Sequence, residues 1–158
     1  QGDKDVTLVS FSDDIDKALA SLVIANGALS AGKKVTIFYT FWGLNIIKKI
    51  HKPAVKKSIT GKMFSFMLPS DNSRLKLSKM NMIGAGSSMM KMIMKKQKID
   101  TLQEMLENAV KSGVKIIACQ MSMDVMGIKR EELIDAAEVG GVANYLENAS
   151  MAGINLFI

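Results

Sequence analysis

Short apolar runs alternate along the chain with longer amphipathic stretches. Val6-Thr-Leu-Val-Ser-Phe11 is short and β-rich, as a buried strand should be. Ser12-Asp13-Asp14 then offers a helix N-cap with acids in the first turn, where the helix dipole favours them. Ile15, Ala18, Leu19, Leu22, Val23 and Ile24 carry a helix that ends near Gly32. Its second half, Leu22 to Leu29, is apolar nearly all round, which predicts cover on both faces. Behind Lys33-Lys34, Val35-Thr-Ile-Phe-Tyr39 reads as a second strand. A strand–helix–strand unit implies parallel pairing through a crossover.

The last sixty residues repeat this rhythm. Thr101 and Glu104 have capping-box spacing, Leu102, Met105, Leu106, Ala109 and Val110 share one helical face, and Gly113 supplies a left-handed exit. Val114-Lys-Ile-Ile-Ala118 is a strand ending at Cys119. A helical stretch is expected over Glu131 to Ala137, a short strand around Glu138-Val139, a helix from Val142 to Ala152 and a closing strand over Ile154–Ile158. Alternating elements of this size predict an α/β fold, an open and mostly parallel sheet. The middle breaks the rhythm. Leu44–Ile50 and Ser88–Lys96 read as helical, but Lys- and Met-rich stretches without a clean period separate them. Residues 1–158 are therefore expected to form one domain with a mobile, inserted excursion over about 45–99.

Composition sharpens that division. With 48% hydrophobic and 23% charged residues, the chain has the balance of a folded protein. The longest charge-free run, Ala18 to Gly32, is too short for a membrane span, and the polar, acidic Gln1–Asp5 is no secretory leader. Between Asn45 and Ile99, 13 lysines and arginines face one acid, Asp71, a net +12; the remaining 8 bases and 14 acids sum to −6. This segment lacks interleaved aromatics and any nucleic-acid docking motif, so an acidic protein partner or an acidic neighbouring subunit of its own kind, and no nucleic acid, is expected.

Candidate chemistry gathers at strand ends. One cysteine and one histidine, His51, exclude an internal disulfide and a Cys/His zinc site, and a cytoplasmic location is expected. Cys119 ends a strand at the carboxyl edge, where open parallel sheets bind ligands. A helix starting at Met121 would favour a thiolate there, and a thiolate can attack a sulfane sulfur and hold it as a persulfide. A small buried hydrophobe is the plainer role for a lone cysteine. Thr40, Trp42 and Gly43, after the second strand, bring a hydroxyl, an aromatic plane and a glycine to the same edge. So do Ser12 and Asp13 after the first, although capping accounts for them, and Met121, Ser122 and Met123 after Cys119. Gly84-Ala-Gly86-Ser-Ser-Met89 is a broken dinucleotide pattern and reads as a flexible turn. The 13 methionines suit a soft core or interface better than a Cu(I) site, and His51, among lysines, reads as solvated. Neither a cofactor nor a metal is expected.

Several blocks together resemble a known family. Phe38-Tyr-Thr-Phe-Trp-Gly-Leu44, Leu77-Ser-Lys-Met-Asn-Met82, Met89-Met-Lys91, Ala118-Cys-Gln-Met-Ser-Met-Asp-Val-Met-Gly-Ile128, Glu138-Val-Gly-Gly-Val-Ala143 and Asn155-Leu-Phe-Ile158 resemble the DsrE/DsrF/DsrH-like family, in particular its peroxiredoxin-labelled branch. The peroxidatic Thr/Arg spacing around Cys119 is absent, so that label is not followed. The resemblance spans nearly the whole chain and implies a flavodoxin-like sheet of about five strands with helices on both faces. It also implies homo- or hetero-oligomers, and a sulfurtransferase or sulfur-carrier role in which Cys119 takes sulfane sulfur and hands it on. Some relatives carry a second cysteine that this sequence lacks, so any resolving thiol must come from another molecule. A non-catalytic scaffold using the basic, Met-rich excursion is the second reading.

Overall fold

The computed structural model describes residues 5–50, 57 and 59–158. Five strands, β1 (Val6–Ser10), β2 (Val35–Tyr39), β3 (Lys115–Cys119), β4 (Ala137–Gly140) and β5 (Ile154–Phe157), form one sheet in the order β4-β3-β2-β1-β5. Every pair is parallel, with Val6 opposite Val35 and Ile154, Ile37 opposite Ile116, and Cys119 opposite Gly140. All five carboxyl ends therefore lie along one edge. Six α-helices accompany them among the described residues: α1 (Ile15–Ser30), α2 (Ile59–Met67), α3 (Ala85–Lys96), α4 (Leu102–Lys111), α5 (Gln120–Met126) and α6 (Val142–Met151). This is the expected flavodoxin-like α/β architecture.

Strand alternation sorts the side chains into two layers. Leu8, Ile37, Tyr39 and Ile116 point into the main core beneath Ile15, Ala18 and Leu22 of α1 and Leu106 and Ala109 of α4. Each fully buried Leu or Ile there contributes roughly 1.5–3 kcal/mol relative to exposure. Phe38, Ile117 and Cys119 belong to the opposite face, in a smaller cluster with Tyr145 of α6. Helices thus cover both faces, but unequally. The capping box at α4 is present, with Thr101 N–H donating to Glu104 and Glu104 N–H to Thr101 Oγ1, and Gly113 exits at φ +87°.

Part of the excursion is built into the core. Leu75 is buried, Ile15 N–H donates to Lys76 O at 2.7 Å, and Asp16 accepts from the Ser78 amide and hydroxyl. The start of α1 is thus met by a strap from within the sequence's irregular middle. His51, Pro53 and Lys56 lie outside the described residues.

Four expectations need correction. Glu131–Ala137 is not helical. Only Arg130–Glu132 makes a 3-10 turn, because the backbone here pairs with the tail of the loop after β2: Lys49 N–H donates to Glu132 O and Ile134 N–H to Ile47 O, both near 2.9 Å. The Arg130 guanidinium also takes up the Leu133, Ile134 and Asp135 carbonyls. Leu44–Ile50 is replaced by a 3-10 helix over Phe41–Ile47. Gly84–Ser88 is no flexible turn, since α3 begins at Ala85 and a Cβ on Gly86 would lie 2.0 Å from Met80 O. Bends and a 3-10 turn, not a strand, precede Gly84, so the broken dinucleotide pattern has no phosphate-binding context. Lastly, α1 is not covered all round, for Val23 and Ile24 are exposed.

Candidate functional site

Cys119 closes β3 and stands at the N-cap position of α5, which starts at Gln120. The helix expected after the cysteine is present. Strand alternation turns the thiol toward the α6 face, where it shares its cluster with Phe38, Ile117 and Tyr145, and it is only 5% exposed. Phe38 and Tyr145 stack with ring centroids 5.3 Å apart, and the Tyr145 hydroxyl lies 3.3 Å from Thr7 Oγ1. These two aromatics are the neighbours that sequence reasoning missed. The available signal was Tyr145 with Ala149 one helical turn on, the inward pair of an otherwise polar or exposed α6.

The loop after β2 reaches the same edge. Thr40 and Ser122 share a buried hydroxyl–hydroxyl hydrogen bond of 2.8 Å, which ties this loop to the first turn of α5. Both hydroxyls are thereby committed to holding the site together. Gly43 N–H donates to Phe11 O at 2.8 Å, and its Cα packs against the end of β1. Met123 is buried in the main core, whereas Trp42 and Met121 are exposed. Of the expected binding residues after β2 and β3, these last two can meet a partner.

After β1, Ser12 works locally. Its hydroxyl donates to Asp14 Oδ2 at 3.0 Å and accepts from the Asp14 amide at 3.2 Å. Asp14 occupies the N-cap position of α1, but its carboxylate pairs with Lys17 and not with a helix amide. Asp13 turns instead to Asn45, accepting from Nδ2 at 2.8 Å. Burial holds the Asp13 carboxyl above its ordinary range, against the lowering effect of the Asn45 bond; neighbouring Asp14 adds to the rise. Asn45 Oδ1 and the Tyr39 hydroxyl are buried without a hydrogen-bond partner among the described residues. Burial pushes the Tyr39 phenol up as well. Between the ends of β1 and β5, Phe11 packs against Phe41 and Phe157 at centroid distances of 5.7 and 5.8 Å. Among the described residues no group of three His, Cys, Asp or Glu could hold a metal ion, and no helix is long and apolar enough to cross a membrane.

The packing around the thiol has a measurable consequence. Tyr145→Ala removes the ring shared with Phe38 and should raise several-fold the rate at which a small neutral thiol reagent labels Cys119. Tyr145→Phe, which keeps the ring, should label at the wild-type rate. Equal rates in all three proteins would show that the ring does not govern access.

An all-parallel five-stranded α/β sheet with helices on both faces defines a flavodoxin-like protein, and the one thiol of its sequence stands at the carboxyl edge. The chain belongs to the DsrE/DsrF/DrsH-like family, whose model matches residues 2–157. It is 46% identical to the uncharacterized protein YrkE of Bacillus subtilis over 98% of this chain and 97% of that one. It is 30% identical to the sulfur carrier protein DsrE2 of Allochromatium vinosum, over 98% of each chain. Among solved structures, the YchN protein of E. coli matches with a TM-score of 0.61 at 14% identity, covering 98% of both chains, a likeness of fold alone.

Proposed function

We propose that this protein is a sulfur carrier that takes sulfane sulfur on Cys119 as a persulfide and relays it to an acceptor. The observation that supports this most directly is the placement of the sequence's one thiol at the end of β3, before the start of α5. The name of the Allochromatium relative supports the same class of activity. In the uptake step the Cys119 thiol gives its proton to solvent, and the thiolate attacks the terminal sulfur of a polysulfide. The donor's S–S bond breaks, the shortened polysulfide leaves with the electron pair, and a Cys119 S–S bond forms. No external oxidant is needed. Release runs the same exchange in reverse, with the acceptor thiol supplied by another molecule. An unpaired thiol suits a reducing compartment, and we place the relay in the cytoplasm. Intact-mass measurement after incubation with polysulfide should show a gain of one sulfur atom, reversed by reductant; an unchanged mass would reject the proposal.

The acceptor or donor is an acidic protein, steered by the basic excursion. Lys57 is unsuitable for testing this. Its ammonium pairs with Glu132 at 2.8 Å in a largely buried bridge, so reversing it would set two carboxylates together. Lys62, Lys79 and Lys96 are exposed. Reversing these three to Glu should slow protein-to-protein sulfur transfer at low salt and leave labelling of Cys119 by a neutral reagent unchanged. Transfer rates equal to wild type at low salt would remove the steering role. Exposed Val23 and Ile24 on α1 support assembly into a homo-oligomer, which sedimentation as a monomer at micromolar concentration would reject.

A further inference from the structure

A cleft of about 700 Å³ opens between α1, α3, α4 and the 3-10 turn Asn72–Arg74. That is room for a small organic molecule. Its wall is apolar: Ile15 and Leu102 are buried, Leu19 and Met94 half-buried, and Ile99 stands at the mouth, 48% exposed. The polar groups of the lining divide into two kinds. Asn72, Asp100, Gln103 and Glu104 are engaged within the protein. Asn72 Nδ2 donates to Ile46 O and to Gln103 Oε1, Asp100 accepts from Asn108 Nδ2, and Glu104 accepts from the Thr101 N–H. The capping box thus already sets a carboxylate on the start of α4.

The lysines of the lining differ. All three are exposed. Lys91 Nζ gives one donor to Ser73 O at 2.6 Å, whereas Lys95 and Lys98 have no side-chain partner among the described residues. Lys98 carries a second signal. α3 ends in a Schellman turn, with Ile99 N–H donating to Met94 O at 2.9 Å and Lys98 N–H to Lys95 O at 3.2 Å, and Lys98 sits at φ +56°. The same position after α1 and α4 holds Gly32 and Gly113. A lysine there takes on a steric cost that glycine avoids, and its side chain lines the cleft.

We propose that this cleft binds a small amphipathic carboxylate, its alkyl chain along Ile15, Leu19, Met94 and Leu102 and its head on Lys95 and Lys98. An apolar wall alone would fit many occupants. Two unpartnered ammonium groups beside it select an anion, and a carboxylate can accept charge-assisted hydrogen bonds from both. The flexible Met94 side chain can follow the shape of an alkyl chain. Ile15 and Leu102 belong to the core layer on the sheet face opposite the Cys119 cluster, so the ligand does not meet the thiol. This inference is independent of the sulfur-relay reading.

Titration of the full chain with decanoate, followed by NMR of the methionine methyl groups and by calorimetry, tests it. Met94→Leu, a volume-conserving swap, assigns the Met94 signal. That signal should shift and saturate with decanoate while Met121, outside the cleft, stays in place. Acetate, the head without the chain, should shift nothing at the same concentration, and decanol, the chain without the charge, should bind several-fold more weakly. Lys95→Ala combined with Lys98→Gly should weaken decanoate by about tenfold and leave decanol unchanged. Ile99→Ser should weaken both. Glycine accepts the backbone at position 98 more readily than lysine, so Lys98→Gly alone should melt no lower than wild type. Weaker binding by that variant therefore cannot be laid to unfolding. Cys119→Ser should bind decanoate as wild type does, which separates this result from the relay. A Met94 signal that does not move would overturn the proposal. So would decanol binding as tightly as decanoate, or a lysine double variant that binds decanoate like wild type. Shifts spread without saturation over exposed Met63, Met80 and Met121 would mean detergent-like adsorption and overturn it equally.

Discussion

Cys119→Ser should abolish sulfur uptake outright while the protein remains folded. The sequence holds no other thiol, and a serine hydroxyl stays protonated at neutral pH and forms no stable bond to sulfane sulfur. The mass gain seen in wild type should therefore vanish. Some stability should go with it. Cys119 packs in an apolar cluster with Phe38, Ile117 and Tyr145, and a hydroxyl left without a partner there costs about 1–3 kcal/mol. Cys119→Ala carries no such penalty and serves as the second variant; circular dichroism melting reports on both. If sulfur were still gained in either folded variant, the carrier reading of Cys119 would be wrong. If only Cys119→Ser unfolded, the alanine variant would still decide the question.

The parts of this molecule that were legible in the sequence are those set by local patterns. β2 reads directly from Val35–Tyr39 because a strand buried on both faces is a continuous apolar and β-branched run. The start of α4 reads from Thr101 and Glu104 because both halves of a capping box lie within one turn. Cys119 could be placed at a strand end for the same reason. What failed depends on partners far along the chain. Residues Glu131–Ala137 carry a helical pattern, but the carbonyls and amides there are taken by Ile47, Lys49 and Arg130. Gly84–Ser88 reads as a loop until Met80 O is seen pressed against Gly86. The tie between Thr40 and Ser122 joins hydroxyls 82 positions apart, and no spacing rule reaches that far.

The same distinction governs the candidate site. Sequence reasoning assembled residues by the strand end they follow, which correctly put Ser12, Asp13, Thr40, Trp42, Gly43 and Met121–Met123 along one edge with Cys119. It could not say which of them face inward. Strand parity decides that Cys119 turns toward Tyr145 while Tyr39 and Ala118 enter the main core. The aromatic wall beside the thiol arises from that parity together with the return of α6 across the sheet.

Gly43→Ala should be the most destabilising single-methyl addition in the site, at about 3 kcal/mol or more. A Cβ at Gly43 would lie 2.0 Å from Ser10 O and 2.7 Å from Ser10 C, both backbone atoms that no rotamer change can move aside. Relief requires separating the loop from the end of β1, which loses the 2.8 Å bond from Gly43 N–H to Phe11 O. Little slack exists in that loop, because Phe41 already sits at φ +47°, where a side chain is strained. Thr40 lies in the same loop, so its bond to Ser122 and the setting of α5 behind Cys119 should loosen too. Sulfur uptake by the folded fraction should therefore fall along with stability. Gly27→Ala is the internal control. It lies in the interior of α1, with nothing within 4 Å of its added Cβ, and should stabilise by about 0.5–1 kcal/mol through helix propensity. Urea unfolding of the two variants should move the midpoint in opposite directions. A Gly43→Ala protein as stable as wild type would mean that the loop does not press on Ser10 in solution, and that Thr40 is not held against α5 by this contact.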